Sequence, residues 1–156
     1  MPNKIKFHID DNNVALLTLN DPDRLNALSL EMLTEIHEKI KLINSGTTNA
    51  RCLVITGEGR GFCAGANLID TNAAPSESGD PMDRDLGKGL ITHYHPMLID
   101  LKNSEIPIIT AINGVAAGAG CSLGIIGDLI FASDKSYFYQ FFKFIGLVPD
   151  AGSTYI

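Results

Sequence analysis

The sequence lacks the features that most quickly assign a chain to a class. Its three cysteines, Cys52, Cys63 and Cys121, are odd in number and show no C-x-x-C spacing. That excludes a disulfide framework and a cysteine-based metal site, and it suits a reducing compartment. No apolar run is long enough to span a bilayer, and the opening MPNKIKFHIDD lacks an apolar signal region. The expectation is a cytoplasmic protein without membrane association. Positive charge is also short: 12 Lys and Arg against 18 Asp and Glu give a net charge of −6. A nucleic-acid partner would want a basic face, so none is expected. The glycine-rich GEGRGF (57–62) fails as a dinucleotide fingerprint, because G-x-G-x-x-G needs glycine at position 62, which is Phe62. His93 and His95 form H-x-H inside an expected helix, where residues two apart point to different faces, so no metal is expected.

What is present is a chain of 156 residues, 45% of them hydrophobic, enough for one domain with a sizeable core. Residues 4–9 alternate, with Ile5, Phe7 and Ile9 on one face. A turn cluster at 10–13 and a second run at 14–19 complete an expected hairpin. NDPDRLNA reads as a loop. Ser29 then caps a helix whose Leu33, Ile36, Ile40 and Ile43 recur at helical spacing up to Gly46. A strand at 52–56 leads into the loop GEGRGFCAGAN, and 72–85 is a polar excursion rich in Ser, Pro, Gly and Asp. Residues 86–102 read as a helix, with Leu90, Met97, Leu98 and Leu101 inward and a kink at Pro96. Buried strands are expected at 108–112 and 129–132, with a helix over 119–127 between them. Strands alternating with helices imply α/β layering around a largely parallel sheet.

Two junctions, 57–68 and 113–122, look alike. Each ends a strand and places Gly and Ala where a helix begins. Free N–H groups at such a start, beside residues with almost no side chain, suit an anion or a developing oxyanion. The bare run VAAGAGCSLG (115–124) carries a single hydroxyl, at Ser122.

GFCAGANL (61–68), NGVAAGAGCSLG (113–124) and FIGLVPDAGST (144–154) together resemble the crotonase, or enoyl-CoA hydratase/isomerase, superfamily. The resemblance covers essentially the whole chain, in the family's motif order. YHPMLIDL (94–101) and FYQFFKFIGLVPDAGSTY (138–155) are most similar to the branch isomerising 2-(1,2-epoxyphenyl)acetyl-CoA. The resemblance implies a crotonase fold of repeated ββα units and an acyl-CoA thioester substrate. Coenzyme A enters as part of the substrate, with no further cofactor. An oxyanion hole of two backbone N–H groups is implied, carried by motif onto Ala64 and Ala119. DRLNAL resembles the segment lining the CoA nucleotide, with Arg24 against a phosphate and the backbone of Leu25 and Ala27 near the adenine. Gly65, Ala66, Asn67, Leu68, Gly118, Ser122 and Phe142 are implied along the substrate-binding surface. Intact family members are trimers or hexamers. The implied domain is an incomplete N-terminal core over 1–156, since the family continues past GSTYI into a C-terminal helical region that builds the trimer. Apolar surface is expected at that face.

Hydratases of this family carry glutamates where this chain has Ser122 and Phe142, and neither residue can serve water addition as acid or base. Asp150, in GLVPDAG, stands where isomerases of the family carry their acid/base. Phe141, Phe142, Phe144, Leu147 and Val148 predict an apolar setting, which would raise its pKa. The same Pro-Asp-x-Gly is also ordinary turn chemistry. Phe138, Phe141, Phe142 and Phe144 read as core and pocket wall. The implied activity is an enoyl-CoA isomerase. The alternatives are a hydratase, a silent acyl-CoA-binding homologue, or a thioester hydrolase or dehalogenase using Asp150 as nucleophile and His93 or His95 as base.

Overall fold

The computed structural model of the protein describes residues 3–68 and 86–156; the polar stretch 72–85 lies outside them. The opening hairpin forms as expected. β1 (Ile5–Ile9) pairs antiparallel with β2 (Val14–Leu19), Ile5 opposite Leu19. Alternation buries Ala15, Leu17 and Leu19 on one face of β2. The chain then turns through a 3₁₀ turn at Pro22–Arg24 into α1 (Leu30–Asn44). Ser29 caps this helix, its Oγ accepting the Met32 N–H at 3.1 Å. Met32, Leu33, Ile36, Ile40 and Ile43 are buried along one stripe. Ser29→Ala leaves one of the helix's free N–H groups without its acceptor. It is expected to cost about 1 kcal/mol, read as a lower urea midpoint with unchanged slope.

β3 (Cys52–Gly57) lies parallel to β2, β5 (Ile108–Ile112) parallel to β3, and β7 (Leu129–Ala132) parallel to β5. They make a five-stranded sheet in the order β1-β2-β3-β5-β7. Between them lie three strands of three residues each that the sequence does not announce: β4 (Gly61–Cys63), β6 (Val115–Ala117) and β8 (Tyr137–Tyr139). These form a second, parallel sheet, β4-β6-β8. Each of β3, β5 and β7 joins the large sheet, and the strand after it joins the small one. That alternation is the repeated ββα unit, and it explains the likeness of the two glycine-rich junctions: they occupy the same place in successive repeats.

The helix expected at 86–102 is continuous but not uniform. α2 (Leu86–Gly89) passes into a π-helical turn (Leu90–Tyr94) and then α3 (His95–Lys102). The His95 N–H reaches back five residues to the Leu90 carbonyl. Pro96 has no N–H to give and its ring crowds the preceding turn, so the helix widens there instead of breaking. Met97, Leu98 and Leu101 are buried as expected, and Leu90 is half-buried. α4 (Ala119–Ile125) is fully packed from Ala119 to Gly124. Thr110 of β5, wholly buried, donates its hydroxyl to the Gly124 carbonyl at 2.6 Å and ties sheet to helix.

The C-terminal third departs from expectation. β7, read as buried, is exposed at every residue, with Leu129 at 56% and Phe131 at 61%. It is the last strand of its sheet, and no described residue lies over it. Of the four phenylalanines read as core or pocket wall, only Phe142 is buried; Phe138, Phe141 and Phe144 stand exposed. Tyr139, Phe141 and Phe144 stack on one another, at centroid separations of 5.4 to 6.2 Å. The 3₁₀ turn Phe141–Ile145 and the exposed Val148 and Tyr155 extend this apolar surface.

Candidate active site

The two junctions interlock backbone to backbone. Gly65 has φ +95°, and a Cβ there would lie 2.7 Å from the Ala117 carbonyl oxygen and 3.5 Å from the Ala119 nitrogen. A Cβ on Gly120 would collide with the Cys63 carbonyl. Only glycine lets segment 63–66 run flush along 117–120. Gly118, at φ +50°, donates its N–H to Tyr139 in β8 at 3.0 Å and faces the ring of Phe142.

Of the two N–H groups the motif implied, Ala64 is taken and Ala119 is not. The Ala64 N–H donates to the Leu25 carbonyl at 2.9 Å, so it is spent inside the protein and cannot serve an oxyanion. Two residues on, the Ala66 N–H has no partner among the described residues, and neither does the Ala119 N–H at the first position of α4. Ala66 and Ala119 are therefore the free donors beside the Gly65 crossing. Leu28 frames this strand from the other side: its N–H donates to Gly65 O at 2.7 Å, and its carbonyl accepts the Asn67 N–H at 3.0 Å. Asn67 is buried and Leu68 exposed at the end of the described segment.

Asp150 is half-buried in a turn where Ala151 and Gly152 both have positive φ and its carbonyl accepts the Ser153 N–H at 3.0 Å. The turn expected from Pro-Asp-x-Gly is present, and it leaves the carboxyl group half-buried. Burial pushes that carboxyl above the usual carboxylate range, while His95 pulls it down. Among the apolar neighbours expected around it, Phe142 is buried, Leu147 half-buried, and Phe141, Phe144 and Val148 exposed. Ser122, implied along the substrate-binding surface, has its hydroxyl taken inside the protein. It is wholly buried, and its hydroxyl donates to the Asp150 carbonyl at 3.3 Å, tying α4 to the Asp150 turn.

Tyr94 is a buried hydroxyl that sequence reading does not single out. It is buried on the π-helical turn, its hydroxyl 3.5 Å from the Leu28 carbonyl. Burial, then the Cys63 thiol and the Asp150 carboxylate, push its hydroxyl well above the usual tyrosine value. Cys63 is pushed up to about 12, mainly by burial, and is no nucleophile.

Arg24 is exposed and has no ion-pair partner among the described residues. The N–H groups of Leu25 and Ala27 are committed to the Pro22 and Arg24 carbonyls, each at 3.1 Å, and the Leu25 carbonyl to the Ala64 N–H, so neither N–H is free for the backbone contact implied for them. Among the described residues no group of three His, Cys, Asp or Glu could hold a metal ion, and no helix is long and apolar enough to cross a membrane.

Comparison with known proteins agrees with the fold and the motifs. Residues 10–156 match the model of the family described as Enoyl-CoA hydratase/isomerase. The 1,2-epoxyphenylacetyl-CoA isomerase of Escherichia coli (strain K12) is 40% identical over 97% of this chain and 56% of its own. A crystal structure of an enoyl-CoA hydratase/isomerase from Mycobacterium paratuberculosis superposes with TM-score 0.81 at 28% identity, over 97% of this chain and 57% of that one. One of an enoyl-CoA hydratase from Polaromonas sp. JS666 gives 0.80 at 32% identity, over 95% and 55%. The chain thus spans about half the length of the curated relatives it matches. The crotonase fold, the paired glycine junctions and the match from residue 10 to residue 156 place the chain in the enoyl-CoA hydratase/isomerase family.

Proposed function

We propose that the protein isomerises an enoyl-CoA thioester, using Ala66 and Ala119 as oxyanion donors and Asp150 as the proton carrier. One observation supports the reading: two N–H groups, of Ala66 and Ala119, without partners among the described residues at the Gly65 crossing. The 40% identity to an isomerase supports it. For a 3-enoyl thioester, the Asp150 carboxylate takes a proton from C2. The electron pair moves into a dienolate whose oxygen is held by the two N–H groups. Asp150 then returns the proton to C4, leaving the conjugated 2-enoyl thioester and consuming no water. Fixed donors suit this step because they need no reorganisation as charge develops, and one such donor is worth about 3–4 kcal/mol in comparable sites. Ser122 and Phe142 leave water without the acid and base that hydration requires.

The test is ultraviolet absorbance of the conjugated thioester formed from a 3-enoyl-CoA, with mass analysis of the product. Conjugation without gain of water supports the isomerase; a hydrated product replaces it with a hydratase. The relative's name makes a ring-bearing acyl group the next substrate to try. The rising limb of kcat/KM against pH is expected above the ordinary aspartate value, because burial raises Asp150 and only its ionised form abstracts a proton. A limb that persists unchanged in Asp150→Asn would remove Asp150 as the base.

A second reading is favoured by the pull of His95 on the Asp150 carboxylate. In it the Asp150 carboxylate attacks the thioester carbonyl, CoA leaves as its thiolate, and neutral His95 takes a proton from the water that then hydrolyses the acyl–Asp150 anhydride. A covalent adduct on Asp150 under single-turnover conditions would establish it, and its absence would leave the proton carrier.

A further inference from the structure

We propose that Asn26 is a positioning residue that makes the turn 21–28 and the oxyanion segment 61–67 one mechanical unit, so that a ligand seated on the turn sets the Ala66 donor. Asn26 is wholly buried and holds φ +55°, next to Leu25 at φ +51°. Two consecutive non-glycine residues in the left-handed region are costly and persist only where the surroundings impose them. The side chain supplies that constraint. Its Oδ1 accepts the Asp21 N–H at 2.9 Å, closing the turn on itself. Its Nδ2 donates to three carbonyls of the facing segment: Glu58 at 3.0 Å, Gly61 at 2.9 Å and Phe62 at 3.2 Å. One amide therefore grips both partners. The left-handed twist it holds at Leu25 aims that residue's carbonyl at the Ala64 N–H, and Leu28 then clasps Gly65 and Asn67. Displacing the turn moves the segment after β4 that carries Ala66. Arg24, exposed on the same turn and without an ion-pair partner among the described residues, is the group through which an anionic ligand would act.

The inference rests on the acyl-CoA reading, with the CoA nucleotide as the ligand of the turn. Remote binding energy would then be transmitted to the oxyanion site instead of only adding to affinity. The probe is adenosine 3′-phosphate 5′-diphosphate, the nucleotide end of CoA, which has no thioester to touch Ala66. Amide hydrogen exchange is followed over 61–68, with binding checked by calorimetry. At saturation the nucleotide is expected to slow exchange there by about ten-fold in the wild-type protein. Asn26→Gly tolerates the left-handed backbone but removes all four side-chain bonds, and is expected to abolish the slowing while still binding at higher concentration. Asn113→Ala is the control. Asn113 also holds Gly61 O, at 3.3 Å, and the Gly57 N–H, but makes no bond to the turn, so the slowing should survive. Unchanged exchange on a saturated wild type, slowing retained in Asn26→Gly, or slowing lost equally in Asn113→Ala each overturns the inference while leaving the acyl-CoA reading intact. Failure of both the nucleotide and a crotonyl thioester of CoA to bind the wild-type protein overturns that reading and this inference with it.

Discussion

Replacing Asp150 with asparagine is expected to lower kcat by about 10³-fold or more while leaving acyl-CoA affinity within a few-fold. Asparagine keeps the shape and the turn, including the carbonyl that holds Ser153 and Ser122. It removes only the group that can accept and return a proton. The same substitution should not unfold the protein. Burial raises the Asp150 pKa, so the folded state holds its proton more tightly than the unfolded chain. The resulting stability is present in full below the unfolded pKa and is lost as pH rises through the raised, folded value. At neutral pH the ionised carboxylate is thus no asset to the fold, and the asparagine variant should melt no lower than wild type. Activity lost with the melting temperature kept assigns Asp150 to chemistry. Activity kept within about ten-fold sinks the proton-carrier role.

The hairpin and α1 could be read from the sequence because each follows a clear physical period. β2 alternates Ala15, Leu17 and Leu19 inward, and α1 puts its apolar stripe at helical spacing behind a serine cap. The three strands of the small sheet could not, since three residues are too few to show a period. β7 misled for another reason. Leu129, Ile130 and Phe131 form an apolar run, and such a run states what the strand needs covered, not that this stretch of chain covers it. The candidate site divides similarly. The glycines were legible because close backbone approach has a compositional signature. Which alanine of CAGA offers its N–H was not. That depends on Leu25, far upstream, whose carbonyl takes the Ala64 donor and leaves Ala66 free. Asn26 looks like any turn residue until its four partners are seen.

Gly65→Ala is the sharpest test of the oxyanion site, because it changes no titratable group. The backbone at φ +95° is strained for any residue with a Cβ, and that Cβ would sit 2.7 Å from the Ala117 carbonyl oxygen. No flexible side chain stands there to give way. Segment 117–119 must retreat, carrying the Ala119 N–H off its line, or 64–66 must lift, carrying Ala66. Either movement separates two donors whose value lies in being fixed together, so kcat is expected to fall by about 10²–10³-fold, with melting temperature also lowered. Gly46→Ala separates strain from site. Gly46 has φ +70° just beyond α1, and a Cβ there meets nothing within 4 Å. That variant should lose about 1 kcal/mol of stability and no activity per folded molecule. If Gly65→Ala behaved like Gly46→Ala, losing stability alone, the thioester oxygen would have to bind elsewhere than at this crossing. If its activity collapses at a temperature where it remains folded, the two glycine junctions are one catalytic device, and the bareness of the second junction is what lets the first reach it.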